Sequence, residues 1–155
     1  FIQHRRLHGR AQEVPEGEWL VPLGRADVKR EGTDLTLVAT SYAVTKALAA
    51  AEILQEEVSV EVVDPRTLSP LDLETILASV RKTGRLVVVH EAPERGGAGA
   101  EIVRQVVEAD LGALKTAPRV LGSRHLPMPY AANLEDAVIP QVSEIVTLCR
   151  ELAKL

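Results

Sequence analysis

Three short apolar runs set the rhythm of this chain: Leu35-Thr36-Leu37-Val38-Ala39, Val58-Ser59-Val60-Glu61-Val62-Val63 and Arg85-Leu86-Val87-Val88-Val89-His90. Each is rich in aliphatic or β-branched residues and reads as a strand in the core of a sheet. The intervening segments change period. Val44, Ala47, Leu48, Ala51 and Leu54 recur at helical spacing behind Ser41, the expected N-cap. Ser69-Pro70-Leu71-Asp72 joins a capping-box-like pair to a proline at the first helical position. The apolar face of that helix is Leu73, Ile76, Leu77 and Val80, and Gly84 is its expected stop.

The pattern continues on both sides. Ala26-Asp27-Val28-Lys29-Arg30 alternates and is followed by Glu31-Gly32-Thr33-Asp34, which suggests a hairpin into the first core strand, with an antiparallel strand at the edge. After the third core strand, Ile102, Val103, Val106 and Val107 mark a further helix, and Val120-Leu121 a last short strand. The proline-rich connection between Gly122 and Ala131 carries no regular pattern. Pro140 opens a final helix with Val142, Ile145, Val146, Cys149 and Leu152 on one face. Alternating strands and helices imply a mainly parallel sheet covered by helices on both faces. Residues 1–24 read as a linker, and the domain as 25–155.

At 155 residues the chain can form one domain with a real core. A net charge of -4 gives no general reason to expect a nucleic-acid partner. The single cysteine, Cys149, cannot form an intramolecular disulfide and points to a reducing compartment, cytoplasmic or, in a eukaryote, the mitochondrial matrix. No apolar run reaches the roughly 18 residues of a membrane span. Phe1-Ile2-Gln3, an apolar start without methionine, looks like a chain entered partway through a strand.

The candidate chemistry gathers after the third core strand, in HEAPERGGAGAEI. A glycine-rich turn there, Gly96, Gly97 and Gly99, sits where α/β sheets place phosphates. The spacing is wrong for a dinucleotide fingerprint, because Ile102 stands where the last glycine belongs. Lysine and Ser/Thr of a P-loop are missing, and Glu91, Glu94 and Glu101 would repel a phosphate. The turn therefore reads as packing or an interdomain contact. His90 and Glu91 suit either acid–base work or a polar pair closing an interface. Asp64, Arg66 and Asp72 could bind a ligand or cap and pair locally. The cluster His4-Arg5-Arg6-His8-Arg10 could meet an anion or form a solvated or intersubunit surface. His125 reads as surface, Cys149 as a structural thiol.

The motifs VEVVDPRTLSPLDLETILASVRKTGRLVVVHEAPERGGAGAEI and RVLGSRHLPMPYA closely resemble the C-terminal domain of the beta subunit of thiamine-diphosphate-dependent 2-oxo acid dehydrogenases, of pyruvate, branched-chain or acetoin type, in the transketolase superfamily. The likeness covers the chain from Arg25 onward, and FIQHRRLHG resembles the end of the preceding pyrimidine-binding domain. It implies a three-layer α/β/α domain with a five-stranded, mostly parallel sheet and one antiparallel edge strand. The implied enzyme decarboxylates a 2-oxo acid and passes the acyl group to a lipoyl carrier. Thiamine diphosphate and magnesium are then held elsewhere, in agreement with the lack of a GDG tripeptide here, and no catalytic, cofactor-binding or metal residue is assigned to this chain.

The implied role is assembly. The expected partners are a second beta subunit, an alpha subunit and the subunit-binding domain of a dihydrolipoyl acyltransferase, with no nucleic acid and no membrane. Interface residues are expected among His90, Glu91, Gly96, Gly97, Gly99, Glu108, Asp110, Glu151 and Leu155. The sequence departs from the family pattern at Thr40-Ser41-Tyr42, at Ser123-Arg124-His125 and at the basic Lys115. Alone, the domain is expected to be inactive. Two rival readings stand beside this one, a free-standing nucleotide-binding module using residues 96–99 and an oligomerisation domain of another transketolase-like enzyme.

Overall fold

A computed structural model describes residues 2–9, 11, 13 and 15–155. Its five strands are β1 (Asp27–Arg30), β2 (Leu35–Ala39), β3 (Val60–Asp64), β4 (Leu86–Pro93) and β5 (Arg119–Ser123), and its helices are α1 (Ala43–Ile53), α2 (Leu73–Thr83), α3 (Ala98–Asp110), α4 (Ala132–Asp136) and α5 (Val142–Ala153). The strands form one sheet in the order β1-β3-β2-β4-β5. β2 is central and parallel to both neighbours, β5 is parallel to β4, and β1 is antiparallel to β3.

The core follows from strand periodicity. Leu35, Leu37, Ala39, Val60, Val62, Val87 and Val89 pack with α1 and α5 on one face. Val38, Val63, Leu86 and Val88 pack with α2 and α3 on the other. Successive side chains point to opposite faces, so the runs are largely apolar on both sides once helices cover them, with Thr36 and Glu61 the buried polar exceptions in β2 and β3. The expected three-layer α/β/α fold is present.

Four local expectations are corrected. The segment after β1 is not a hairpin: β1 pairs with β3, Val28 opposite Val63 and Arg30 opposite Val62. The chain instead crosses the start of β3, where Thr33 and Asp34 donate their backbone N–H groups to Ser59 O at 3.1 and 2.9 Å. Gly32 permits the crossing, since a Cβ there would lie 2.2 Å from Glu61 N. Ser41 does not cap α1. It adopts φ +54, Tyr42 holds the N-cap position, and no side chain caps that end.

Pro70 and Pro140 each precede their helix rather than opening it. Asp72 caps α2, accepting from Thr75 N at 3.1 Å, and Ser69–Pro70 is a cis bond. α5 starts at Val142 behind a capping box made by Gln141 and Glu144. The proline-rich stretch does run without regular structure from Arg124 to Ala131, but its first residue, Ser123, belongs to β5, and the short α4 follows it. Gly84 ends α2 at φ +78, as expected.

Candidate functional site

The carboxyl ends of β2, β3 and β4 converge on one edge of the sheet, the usual ligand side of a doubly wound fold. At the end of β4 the His90 ring is buried against α3, 2% exposed. A Cβ on Gly97 would lie 2.5 Å from His90 Cε1 and from Pro93 O, and one on Gly99 would lie 2.5 Å from His90 Nε2. Both glycines are there because the ring occupies the space a side chain needs. Gly96 makes the turn at φ +74 and faces open space. Neither ring nitrogen of His90 has a hydrogen-bond partner among the described residues. Burial lowers the pKa of the imidazole from its ordinary value, against smaller opposing pulls from the Ala92 backbone and Glu94.

Glu91, the next residue, points away from that pocket and meets the N-terminal segment, with His4 Nε2 at 2.9 Å from Glu91 Oε2. His4 also stacks on Tyr42, ring centroids 5.0 Å apart. Arg6 lies 5.7 Å from the Tyr42 centroid and forms 3.0 Å ion pairs with Glu135 and Asp136 of α4. The Lys46 ammonium approaches the same ring at 5.6 Å and donates to Pro140 O at 2.7 Å. Residues 2–8 thus form a strap fastened across the carboxyl edge of the sheet. Arg10, the last member of the basic cluster, lies outside the described residues.

The strap encloses a cleft of about 1000 Å³ whose lining includes His8, Thr40, Ser41, Asp64, Arg66 and Leu68. Arg66, at φ +60, donates its backbone N–H to Asp64 Oδ1 at 2.9 Å, and burial raises the Asp64 pKa from its ordinary value. Asp72 is taken up by the α2 cap and by Ala26 N at 2.8 Å. These three residues act locally, as caps and pairs.

The other sequence-derived candidates lie apart from this edge. Glu108 pairs with Arg104 on the exposed side of α3, while Asp110 binds Arg81 Nε at 2.8 Å and accepts from Ala113 N. Glu151 lines a shallow groove of about 430 Å³ beside β5, and Leu155 is 75% exposed. His125 is exposed and Cys149 fully buried. Nothing in the sequence announced the meeting of His4, Tyr42 and Glu91; Lys46 left a faint trace, a lone cation on the buried alanine face of α1.

The glycine loop does not fit a diphosphate. Gly97 and Gly99 are closed against His90, and the carboxylates of Glu94 and Glu101 flank the turn in the sequence. Among the described residues no three His, Cys, Asp or Glu side chains converge as a metal site, and no helix is long and apolar enough to cross a membrane.

Sheet order, two-sided helical cover and a loop packed shut define an α/β/α domain built for packing at its strand ends. The model of the family described as "Transketolase, C-terminal domain" matches residues 24–145, and the chain belongs to that family. It is 42% identical over 155 residues to the beta subunit of acetoin:2,6-dichlorophenolindophenol oxidoreductase from Cupriavidus necator, a match covering 99% of this chain and 46% of the relative. It is 44% identical over 151 residues to the mitochondrial pyruvate dehydrogenase E1 component subunit beta of Pisum sativum, covering 94% of this chain and 42% of the relative. The chain thus spans a little under half the length of these relatives. Among solved structures, a split gene transketolase described as an inactive beta4 tetramer superposes with a TM-score of 0.76 at 27% identity, over 93% of this chain and 46% of that one.

Proposed function

We propose that this chain is the C-terminal assembly domain of the beta subunit of a thiamine-diphosphate-dependent 2-oxo acid dehydrogenase of pyruvate, branched-chain or acetoin type. The observation that carries the reading is identity of 42–44% along almost the whole chain to beta subunits of such enzymes, joined to a strand-end loop whose glycines serve packing against His90. In the longer protein the domain supports beta–beta pairing and contact with an alpha subunit, which holds the cofactor diphosphate and its magnesium. The working compartment is the cytoplasm, or the mitochondrial matrix in a eukaryote.

Docking of an acyltransferase's subunit-binding domain falls best to Glu151 and the C-terminal Leu155. Glu108 and Asp110 already hold Arg104 and Arg81, so a basic partner would have to displace those contacts. A pure oligomerisation role in another transketolase-like enzyme is the second reading, favoured by the likeness to the split transketolase. Against the nucleotide-module reading stand the acidic Glu94 and Glu101 beside residues 96–99 and the packing of Gly97 and Gly99 on His90.

Reconstitution separates these. Restoring an N-terminal pyrimidine-binding segment and an alpha subunit is expected to yield thiamine-dependent decarboxylation of a 2-oxo acid. Verified assembly with cofactor but without such activity, or with transketolase activity instead, would overturn the first reading. Micromolar binding of NAD or ATP to the chain in calorimetry would revive the nucleotide module.

A further inference from the structure

The seat of His90 has a property that packing alone does not require. A histidine buried to 2% exposure normally donates or accepts at least one hydrogen bond, and here both ring nitrogens lack a partner among the described residues. The ring instead fills a notch whose walls are Gly97, Gly99, Pro93 O and Val120, each within contact distance of the ring or of the glycine positions above it. The neutral ring is tolerated there as an apolar plate. An imidazolium is not, because it would carry a buried charge met only by the weaker pulls of the Ala92 backbone and Glu94, beside the N-terminal, positive end of α3.

The charged groups around the notch do not rescue it. Glu94, just beyond β4, is the carboxylate whose field reaches the ring, and its side chain is exposed to solvent. Arg95 of the loop is exposed. On α3, Glu101 and Arg104 pair with each other on the outer face. β5 contributes Val120 to the wall, and its Arg119 is exposed.

We propose that His90 is a proton-operated wedge beneath the glycine loop: the neutral ring seats the first turn of α3 on β4, and its protonation drives it from the notch and frees residues 95–99. Gly97 and Gly99 have no side chains of their own to fill the vacated space, and the anchors that remain lie at the two ends of the loop, Glu94 N on Ser123 O at 3.2 Å and Ile102 in the core. The wedge makes the surface presented at the strand ends depend on pH below neutrality, whether that surface meets a subunit or solvent. It does not rest on the 2-oxo acid dehydrogenase reading.

The test is a histidine-resolved NMR titration of the 155-residue chain from pH 7.5 to 4.5, with amide exchange measured across the same range. His90 is expected to titrate below the ordinary histidine value. Protection of the amides at 97–101 is expected to fall by up to about tenfold for each pH unit between the ordinary histidine value and the lower folded one, while those of Leu37 and Val38 hold. His90→Leu, an apolar replacement of the plate, is expected to remove the pH dependence at 97–101. Titration of His90 at or above the ordinary value would overturn the proposal, as would pH-independent protection of 97–101 in the unaltered chain. The same loss persisting in a folded His90→Leu would also overturn it. If that variant does not fold, the first two readouts decide alone.

Discussion

Thr36 on β2 and Ser79 on α2 bring their hydroxyls to 2.7 Å in the buried layer between sheet and helix, and Thr83 closes on the same Thr36 oxygen at 2.8 Å. All three residues are 3% exposed or less. This small polar node lies between sheet and α2 beside buried Glu61, which pairs with Lys82 of the same helix.

Thr36→Val keeps the shape and removes one partner from each hydroxyl, while Thr83 keeps its bond to Arg85 O at 3.2 Å and Ser79 its bond to Glu61. A loss of about 1 kcal/mol is expected, read as a lower denaturant midpoint with unchanged slope. A neutral result would mean that these remaining partners suffice.

At the glycine loop, Gly97→Ala and Gly99→Ala each place a methyl group 2.5 Å from the His90 ring. Each is expected to cost about 1–3 kcal/mol as an overpacked site. Gly96→Ala meets no atom and is expected to cost only the left-handed strain of φ +74, about 1–2 kcal/mol. The decisive comparison is Gly99→Ala combined with His90→Ala: if ring and methyl compete for one space, the double variant loses less than the sum of the singles.

Asp64 provides a pH test of opposite sign to the usual carboxylate. Burial raises its folded pKa above the unfolded value, the N–H and guanidinium of Arg66 pulling back less strongly. Ionisation therefore opposes folding: the penalty is absent below the unfolded value near 4, grows as pH rises towards the folded pKa, and stays constant above it. Asp64→Asn keeps an acceptor for Arg66 N and is expected to raise Tm at pH 7, by about 2–4 °C for each kcal/mol of relief. The gain should disappear near pH 4. A variant less stable at pH 7 would show that the carboxylate charge contributes more to holding Arg66 than its burial costs.

Cys149 lies wholly inside the interface of α5 with the sheet, and burial pushes its thiol up to about 12. A disulfide reagent at pH 8 is expected to label it only in denaturant, since thiolate and access are both required. Fast labelling of the native chain would mean that α5 opens readily.

The parts of this fold that depend on periodicity were legible in the sequence. Strands of two-sided burial such as Leu35–Ala39 show as unbroken apolar runs, and α2, α3 and α5 show as stripes. Gly84 was readable because a helix stop and a left-handed residue coincide there. Pairing was less legible. Nothing local distinguishes a hairpin from a strand that crosses to β3, and the choice rests on Gly32, whose missing Cβ lets backbone meet backbone across a gap of 29 residues. The exact starts of α1 and α5 were hidden because Ser41 and Pro140 have the right chemistry one or two positions too early. At the site, the meaning of His90-Glu91 divided in a way that sequence adjacency conceals: neighbouring side chains on a strand face opposite sides, one into the core under α3 and one out to His4.

The strap has a consequence in time. Its clasps join residues 129 and 130 positions apart, Arg6 to Glu135 and to Asp136. β1 likewise waits for β3 before it has anything to pair with. On a ribosome the sheet would therefore grow outward from β2, and residues 2–8 would hang unfastened until nearly the whole domain had emerged. Within this domain, an early-made segment would be among the last to lock.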